Sequence, residues 1–333
     1  MKAKRSQRPA PDAPAAVNES RSWAAELGVF VAVAVIAWYF VHLRYVFNSE
    51  FPLATLSESA TSLTAGTGYI PFQFRALIPW IAGALGGSIA VYRWLDVVAV
   101  VGIFYSFRFL LAGLFRGRAL LLLPFVVFYF LPWNYLLPRG IPILLPYDLP
   151  AVAFTALGLA LLRRRAWPWY YAVLLVGCLN RETIVFLGIV FFAMELRRLP
   201  HQSLVVHLLL HAIIWLGVRF LMLGLYGDNP GTAFELYHVN SNVLHLKTNL
   251  DILLAPEHLI MVLSSFGFAW VLLIAGWKWI DDSFTRRALW IVPPYVILTF
   301  IAGNINEIRV FGELTPVIAM PVVVVLAGML ARR

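Results

Sequence analysis

RRRAWPWYYAVLLVGCLNRETIVFLGIVFFAMELRR, Arg163 to Arg198, is the stretch on which the fold turns. Two apolar arms join the triplet Arg163-Arg164-Arg165 to Asn180-Arg181-Glu182, and that trio to Arg197-Arg198. Lys and Arg favour the cytoplasmic loops of membrane proteins, so both basic ends belong on one side and the polar trio on the other. Each arm has about fourteen residues, near 21 Å at 1.5 Å per residue, against a hydrocarbon core about 30 Å thick. The trio is therefore expected to sit recessed in a polar cavity.

The rest of the chain repeats this pattern. Of its 333 residues, 61% are hydrophobic and 13% charged, whereas a soluble domain is about 25% charged. The mean hydropathy of +0.80 makes lipid the main solvent. A basic tail, 1–22, rich in Pro and Ala, reads as disordered and cytoplasmic. It precedes a retained anchor, Trp23 to Phe47, too long for the core of a cleaved signal peptide. The next basic turn, Arg116 to Arg118, requires a return helix, placed at Trp94 to Phe115. This leaves a first outer loop, 48–93, in which Phe74 to Val91, with Pro79 and three glycines, reads as a surface helix.

Further helices are expected at Ala119 to Leu137, from an outer loop at Pro138–Tyr147 back to Arg163, and at Ser203 to Leu225. A second outer segment, 226–256, then leads into a single helix returning to Lys278. Ala288 to Ala302, an outer turn at Asn304–Gly312 and a last helix ending at Arg332-Arg333 complete the chain. The expectation is an all-α, polytopic bundle of about ten transmembrane helices, with both termini in the cytoplasm and one transmembrane domain, 23–331.

Several chemistries are excluded or demoted. Cys178, the single cysteine, allows neither an internal disulfide nor a multi-cysteine metal site. The net charge of +9 is dispersed in short clusters between apolar runs, which is membrane topology and not a nucleic-acid face. His207 and His211 are four apart but lack the Glu of a His-Glu-x-x-His pattern, and His238, His245 and His258 are scattered. No metal site is read from them, and a need for a divalent metal is left open. Gly66 and Gly68 form half a dinucleotide fingerprint and follow no strand.

With the cytoplasmic anchors set aside, Glu50, Glu58, Arg75, Arg139, Asp148, Arg181, Glu182, Glu307, Arg309 and Glu313 remain, all on the outer side of the expected topology. A charge within the hydrocarbon costs about 2.5 to 3.5 kcal/mol on insertion scales, so one kept there faces a cavity or a partner. Ion pairs that only hold helices together, such as Arg181 with Glu182 or Arg309 with Glu313, are the plain reading. The functional reading is a wet, outward cavity. There arginines make bidentate phosphate contacts and a carboxylate accepts the proton of an attacking hydroxyl.

The phrases Phe74-Arg75-Ala76-Leu77-Ile78-Pro79, Tyr147-Asp148-Leu149-Pro150, Asn180-Arg181-Glu182-Thr183 and Asn306-Glu307-Ile308-Arg309-Val310-Phe311 follow a first helix and a long outer loop. In this order the chain resembles bacterial membrane proteins of the GT-C glycosyltransferase superfamily. The resemblance implies transfer of a sugar from a polyprenyl-phosphate donor, with inversion, at the outer face of the bacterial cytoplasmic (inner) membrane. The acceptor is a glycan, lipid or protein, and membrane lipids surround the chain.

In that superfamily the general base is usually an acidic residue of the first outer loop, often Asp. Here the loop offers Glu50 and Glu58 instead, and Asp148 or Glu182 could supply the base from another helix end. The order of preference is Glu50, Asp148, Glu58. Arg75, Arg181 and Arg309 are the phosphate contacts, with Arg139, Asn180, Glu307 and Glu313 lining the same site. Two other readings stand beside this one, a lipid or solute transporter or flippase and a noncatalytic membrane subunit with a similar fold.

Overall fold

A computed structural model describes residues 22–47, 60–136, 145–232, 236–237 and 243–331. The expected disordered tail up to residue 21, Glu50, Glu58 and Arg139 lie outside these residues. Among them every regular element is helical, and strand-like pairing is confined to the isolated bridges Ile70 to Gly231 and Tyr237 to Leu244.

The helices are α1 (Trp23–Phe47), α2 (Leu77–Ala84), α3 (Ile89–Leu111) and α4 (Gly117–Tyr135). Next come α5 (Asp148–Arg164), α6 (Trp167–Asn180) and α7 (Leu187–Glu195), the last entered through a 3-10 turn, Glu182–Phe186. α8 (His201–Tyr226), α9 (His245–Leu254), α10 (Pro256–Leu263) and α11 (Ala269–Ala275) follow. The chain closes with α12 (Ser283–Ala288), α13 (Val292–Ala302) and α14 (Thr315–Leu330), the last entered through the 3-10 segment Ile308–Leu314.

Among the described residues five segments are long and apolar enough to cross a bilayer: α1, α3, α4, α8 and Ile308–Leu330. A sixth is counted if α10 and the run Ser265–Ala275, bent by 70°, form one span. Exposed apolar residues cover their outer faces, among them Phe30, Val35 and Tyr39 on α1 and Leu209, Ile213 and Phe220 on α8. Such area exceeds what a monomer keeps in water; the chain is a multi-pass membrane protein. Only 22% of the apolar window is buried in α1 and α8, against 78% in Ile308–Leu330, so the first two are perimeter helices and the last is central. α3 and α5 form the core around it. Small residues allow close packing, with Gly102 of α3 against Ala153 of α5 and Gly158 of α5 against Leu187 of α7.

Ion pairs fix the relative directions of the helices. At one end Arg44 of α1 meets Asp96 of α3, and at the other Glu26 of α1 meets Arg108 of α3, so the two run antiparallel. Glu26 and Arg44 are about 27 Å apart along α1 at 1.5 Å per residue, close to the thickness of the hydrocarbon. The second end also holds Arg163 on Asp282 and Arg165 on Glu195. Charged groups are thus sorted into two layers.

The elements depart from expectation in four places. The return helix begins at Ile89, not Trp94: Gly86 and Gly87 turn the chain at positive φ, and Ser88 caps α3 by accepting from the Val91 N–H. The surface helix is consequently shorter, Leu77–Ala84. The second outer segment contains a helix, α9, that was not foreseen. The expected single helix before Lys278 is broken at Phe266, Gly267 and Phe268, all near φ +60°. Trp133 and Tyr129 close on Gly267 so tightly that a Cβ there would sit 2.5 Å from the Trp133 Nε1. Neither close approaches nor backbone handedness is written in an apolar run.

Candidate functional site

Six helix ends converge at the first charged layer: the C-terminal ends of α1, α6 and α8 and the N-terminal ends of α3, α5 and α7, joined by the 3-10 segment before α14. Each brings a charge into the seam because its own run is apolar and the polar residue stands at or near its end. Asp148 opens α5, Arg181 and Glu182 occupy the turn between α6 and α7, and Arg309 and Glu313 lie on the Ile308–Leu314 segment.

Asp148 is the hub. It is fully buried, and three guanidinium groups reach it: Arg181 at 2.9 Å, Arg309 at 3.1 Å and Arg44 at 3.7 Å. Arg44 also donates to Asp96 at 2.8 Å. Arg181 lies 2.5 Å from Glu313, whose other oxygen accepts from the Thr183 hydroxyl at 2.6 Å. Arg309 pairs in addition with Glu307.

A second lobe adjoins the hub. Arg75 grips both oxygens of Glu182, at 2.7 and 3.1 Å, and donates to the Tyr147 hydroxyl at 2.9 Å. Asn180 donates to the Tyr147 carbonyl at 2.9 Å, which locks the turn after α6 onto the start of α5. Arg219 of α8 lies over the Phe74 ring at 5.0 Å.

The loop that carries Arg75 is clamped. The buried Gln73 accepts from the Gly68 N–H and donates to the Leu63 carbonyl, while Asn229 donates to the carbonyls of Gly66 and Gly68 at 2.9 Å each. Trp80 donates to the Tyr226 hydroxyl at 2.8 Å. The turn at 303–305 is held likewise by Asn249 of α9, which donates to the carbonyls of Phe300 and Gly303 and accepts from the Ile305 N–H.

Of the residues singled out from sequence, Arg75, Asp148, Asn180, Arg181, Glu182, Glu307, Arg309 and Glu313 come together in this one assembly. Arg44, Asp96 and Arg219 belong to it too and were missed. Arg44 ends an apolar run and reads as a boundary residue. Asp96 falls inside the apolar return helix, and a carboxylate in such a run is itself the signal of a buried partner. Arg219 lies in the C-terminal third of α8, beside Phe74.

Exposure shows which edge of the cluster is open. Asp148, Asp96 and Glu313 side chains are 0 to 2% exposed, whereas Glu182 and Glu307 are 23% and 18% exposed, with Arg75 and Arg309 beside them at 11% and 9%. A ligand would therefore meet the Arg75–Glu182 and Arg309–Glu307 pairs first. Every described carboxylate of the cluster is held by a guanidinium group, and Asp148, fully buried, accepts from Arg181 and Arg309 with Arg44 beside it. Its geometry suits alignment of arginines better than proton transfer. Glu50 and Glu58 lie outside the described residues.

Away from this layer, His207 and His211 are engaged by Tyr171 and Tyr170, at 2.6 and 2.7 Å, a packing role between α6 and α8. Among the described residues no three His, Cys, Asp or Glu side chains are grouped to hold a metal ion. In comparisons with family models, curated proteins and solved structures, the chain has no match.

Proposed function

We propose that the chain is a GT-C type glycosyltransferase of about ten membrane crossings, with both termini cytoplasmic, that uses a polyprenyl-phosphate sugar at the extracytoplasmic face of a bacterial inner membrane. The observation that carries this reading is the single assembly of five arginines, with Arg75 and Arg309 at its open edge. Guanidinium forks match phosphate oxygens in a way a point charge does not. In the reaction, the bond from the sugar carbon to the phosphate oxygen breaks and an acceptor oxygen bonds to that carbon from the opposite face. The acceptor proton passes to a carboxylate, and the phosphate leaves as an anion held by Arg75 and Arg309.

With the cluster carboxylates engaged by arginine, the base falls to the first outer loop, Glu50 before Glu58. Asp148 holds Arg44, Arg181 and Arg309 in register. Positioned general bases contribute about 10²- to 10⁴-fold. Purified protein in lipid, given labelled polyprenyl-phosphate sugars and a membrane acceptor extract, is expected to transfer label, and Glu50→Gln or Glu58→Gln to reduce transfer within that range. If no donor is bound or consumed, the reading fails.

One observation favours a transporter or flippase instead, the broken 70° span of α10 and α11, since discontinuous helices line many transport sites. That reading requires the cluster to open to both sides. Reagents added from the cytoplasmic side would then modify a cysteine placed beside Glu307, whereas the enzyme reading expects modification from outside alone.

A further inference from the structure

α9 presents three distinct faces within ten residues. His245 and Asn249 are buried, and with Ile252 and Leu253 they pack toward α13. Lys247 and Asp251, one turn apart, are exposed. Leu246, Leu250 and Leu254 form a third stripe at i, i+4 and i+8, exposed by 40, 49 and 82%. An apolar stripe beside a polar one on a short surface helix is the pattern of an element lying in a membrane interface.

The occupant of that stripe is argued from its neighbour. α9 packs on α13, whose outward face, Ile297, Leu298 and Ile301, is 59, 44 and 42% exposed. The leucine stripe thus borders apolar surface that already belongs to a membrane helix. α10 continues it without a buried residue of its own, with Leu259 and Ile260 exposed. Lys247 has a four-carbon stem long enough to keep its ammonium at headgroup level while the leucines lie deeper.

We infer that α9 is an interfacial helix, with Leu246, Leu250 and Leu254 seated in the acyl region of the leaflet next to the charged cluster and Lys247 and Asp251 among the headgroups. Asn249 makes this consequential. Its three hydrogen bonds hold the Gly303–Ile305 turn that leads directly to Glu307 and Arg309, so the depth of α9 in the leaflet sets the depth of the cluster's open edge. The inference needs only the membrane setting and does not depend on sugar transfer.

Nitroxide labels at Leu250→Cys, Leu254→Cys and Lys247→Cys test it in vesicles of phosphatidylethanolamine and phosphatidylglycerol. The native Cys178 is 2% exposed, and the unsubstituted protein measures its background labelling. Expected are high collision rates with oxygen and low rates with a water-soluble nickel chelate at positions 250 and 254, and the reverse at 247, less than one turn away. Nickel access equal at all three would place the stripe in water and overturn the inference. Immobile labels at 250 and 254 that meet neither quencher would also overturn it, by showing the stripe covered by protein, either another copy or another part of this chain. Elution of each labelled variant as the same species as the unsubstituted protein makes these outcomes readable.

Discussion

At the scale of single residues, the cluster is an electrostatic balance whose members are not interchangeable. Asp148 neutralises arginines brought by three other parts of the chain. Removing one partner from a buried ionic set leaves uncompensated charge and costs about 3 to 5 kcal/mol. Asp148→Asn is therefore expected to lower the thermal midpoint in detergent steeply, whereas Glu50→Gln should reduce transfer by about 10²- to 10⁴-fold with a midpoint close to the parent. Gly312 tests the packing beside the hub, because a Cβ there would lie 2.1 Å from the Tyr135 hydroxyl. Gly312→Ala is expected to cost about 1 to 3 kcal/mol, the usual range for overpacking, measured as a shift in denaturation midpoint. Most of these charges were legible in the sequence because charge in an apolar chain needs a reason. Arg44 was not, since sequence alone does not tell a residue that ends a span from one that turns inward to a partner, whereas Asp96 carried the signal of a carboxylate inside an apolar helix and was passed over.

At the scale of elements, caps and breaks decide where helices lie. Asp282 caps α12, accepting from the Thr285 N–H at 2.8 Å and its hydroxyl at 2.7 Å, and takes a two-pronged contact from Arg163. Burial pushes its carboxyl up, but the hydrogen bonds from Arg163 and Thr285 outweigh this and hold it below its ordinary value of 3.8. A carboxylate lowered in the folded state stabilises it above the unfolded pKa, and the contribution is lost as pH falls through the folded one. The midpoint difference between the parent and Asp282→Asn should be level above about pH 5 and shrink below about pH 4. A constant difference at all pH values would remove the charge from the argument. The long apolar helices α1 and α8 were readable within a residue or two. α9 was not, because its apolar residues serve two faces at once, and the break at Phe266–Phe268 was not, because nothing in SSFGFAW (Ser264 to Trp270) demands left-handed backbone. Tyr129 and Asn134, from a distant helix, hold it by bonds to the Gly267 carbonyl and the Phe266 N–H.

For the whole molecule, two charged layers separated by an apolar interior are the main architectural fact. The Arg163–Asp282 and Arg165–Glu195 pairs belong to one layer and the Asp148 assembly to the other. Side-selective labelling of single cysteines should find positions near Arg197 and Arg286 reactive from the cytoplasm, and positions near Asp228 and Lys247 reactive from outside. A mixed pattern would break the alternation on which the ten-crossing reading rests.

The central claim is that Arg75 and Arg309 form a phosphate-binding edge reached from the outer leaflet. Titration of a polyprenyl monophosphate into the protein in lipid nanodiscs, followed calorimetrically, tests it most directly. Replacing either arginine by lysine keeps the charge but removes the fork, and hydrogen bonds to charged groups are worth about 1.5 to 3 kcal/mol, tenfold or more in affinity. Saturable binding is expected, weakened by about tenfold or more in Arg75→Lys and in Arg309→Lys. Absence of binding, or equal affinity in all three proteins, would contradict it.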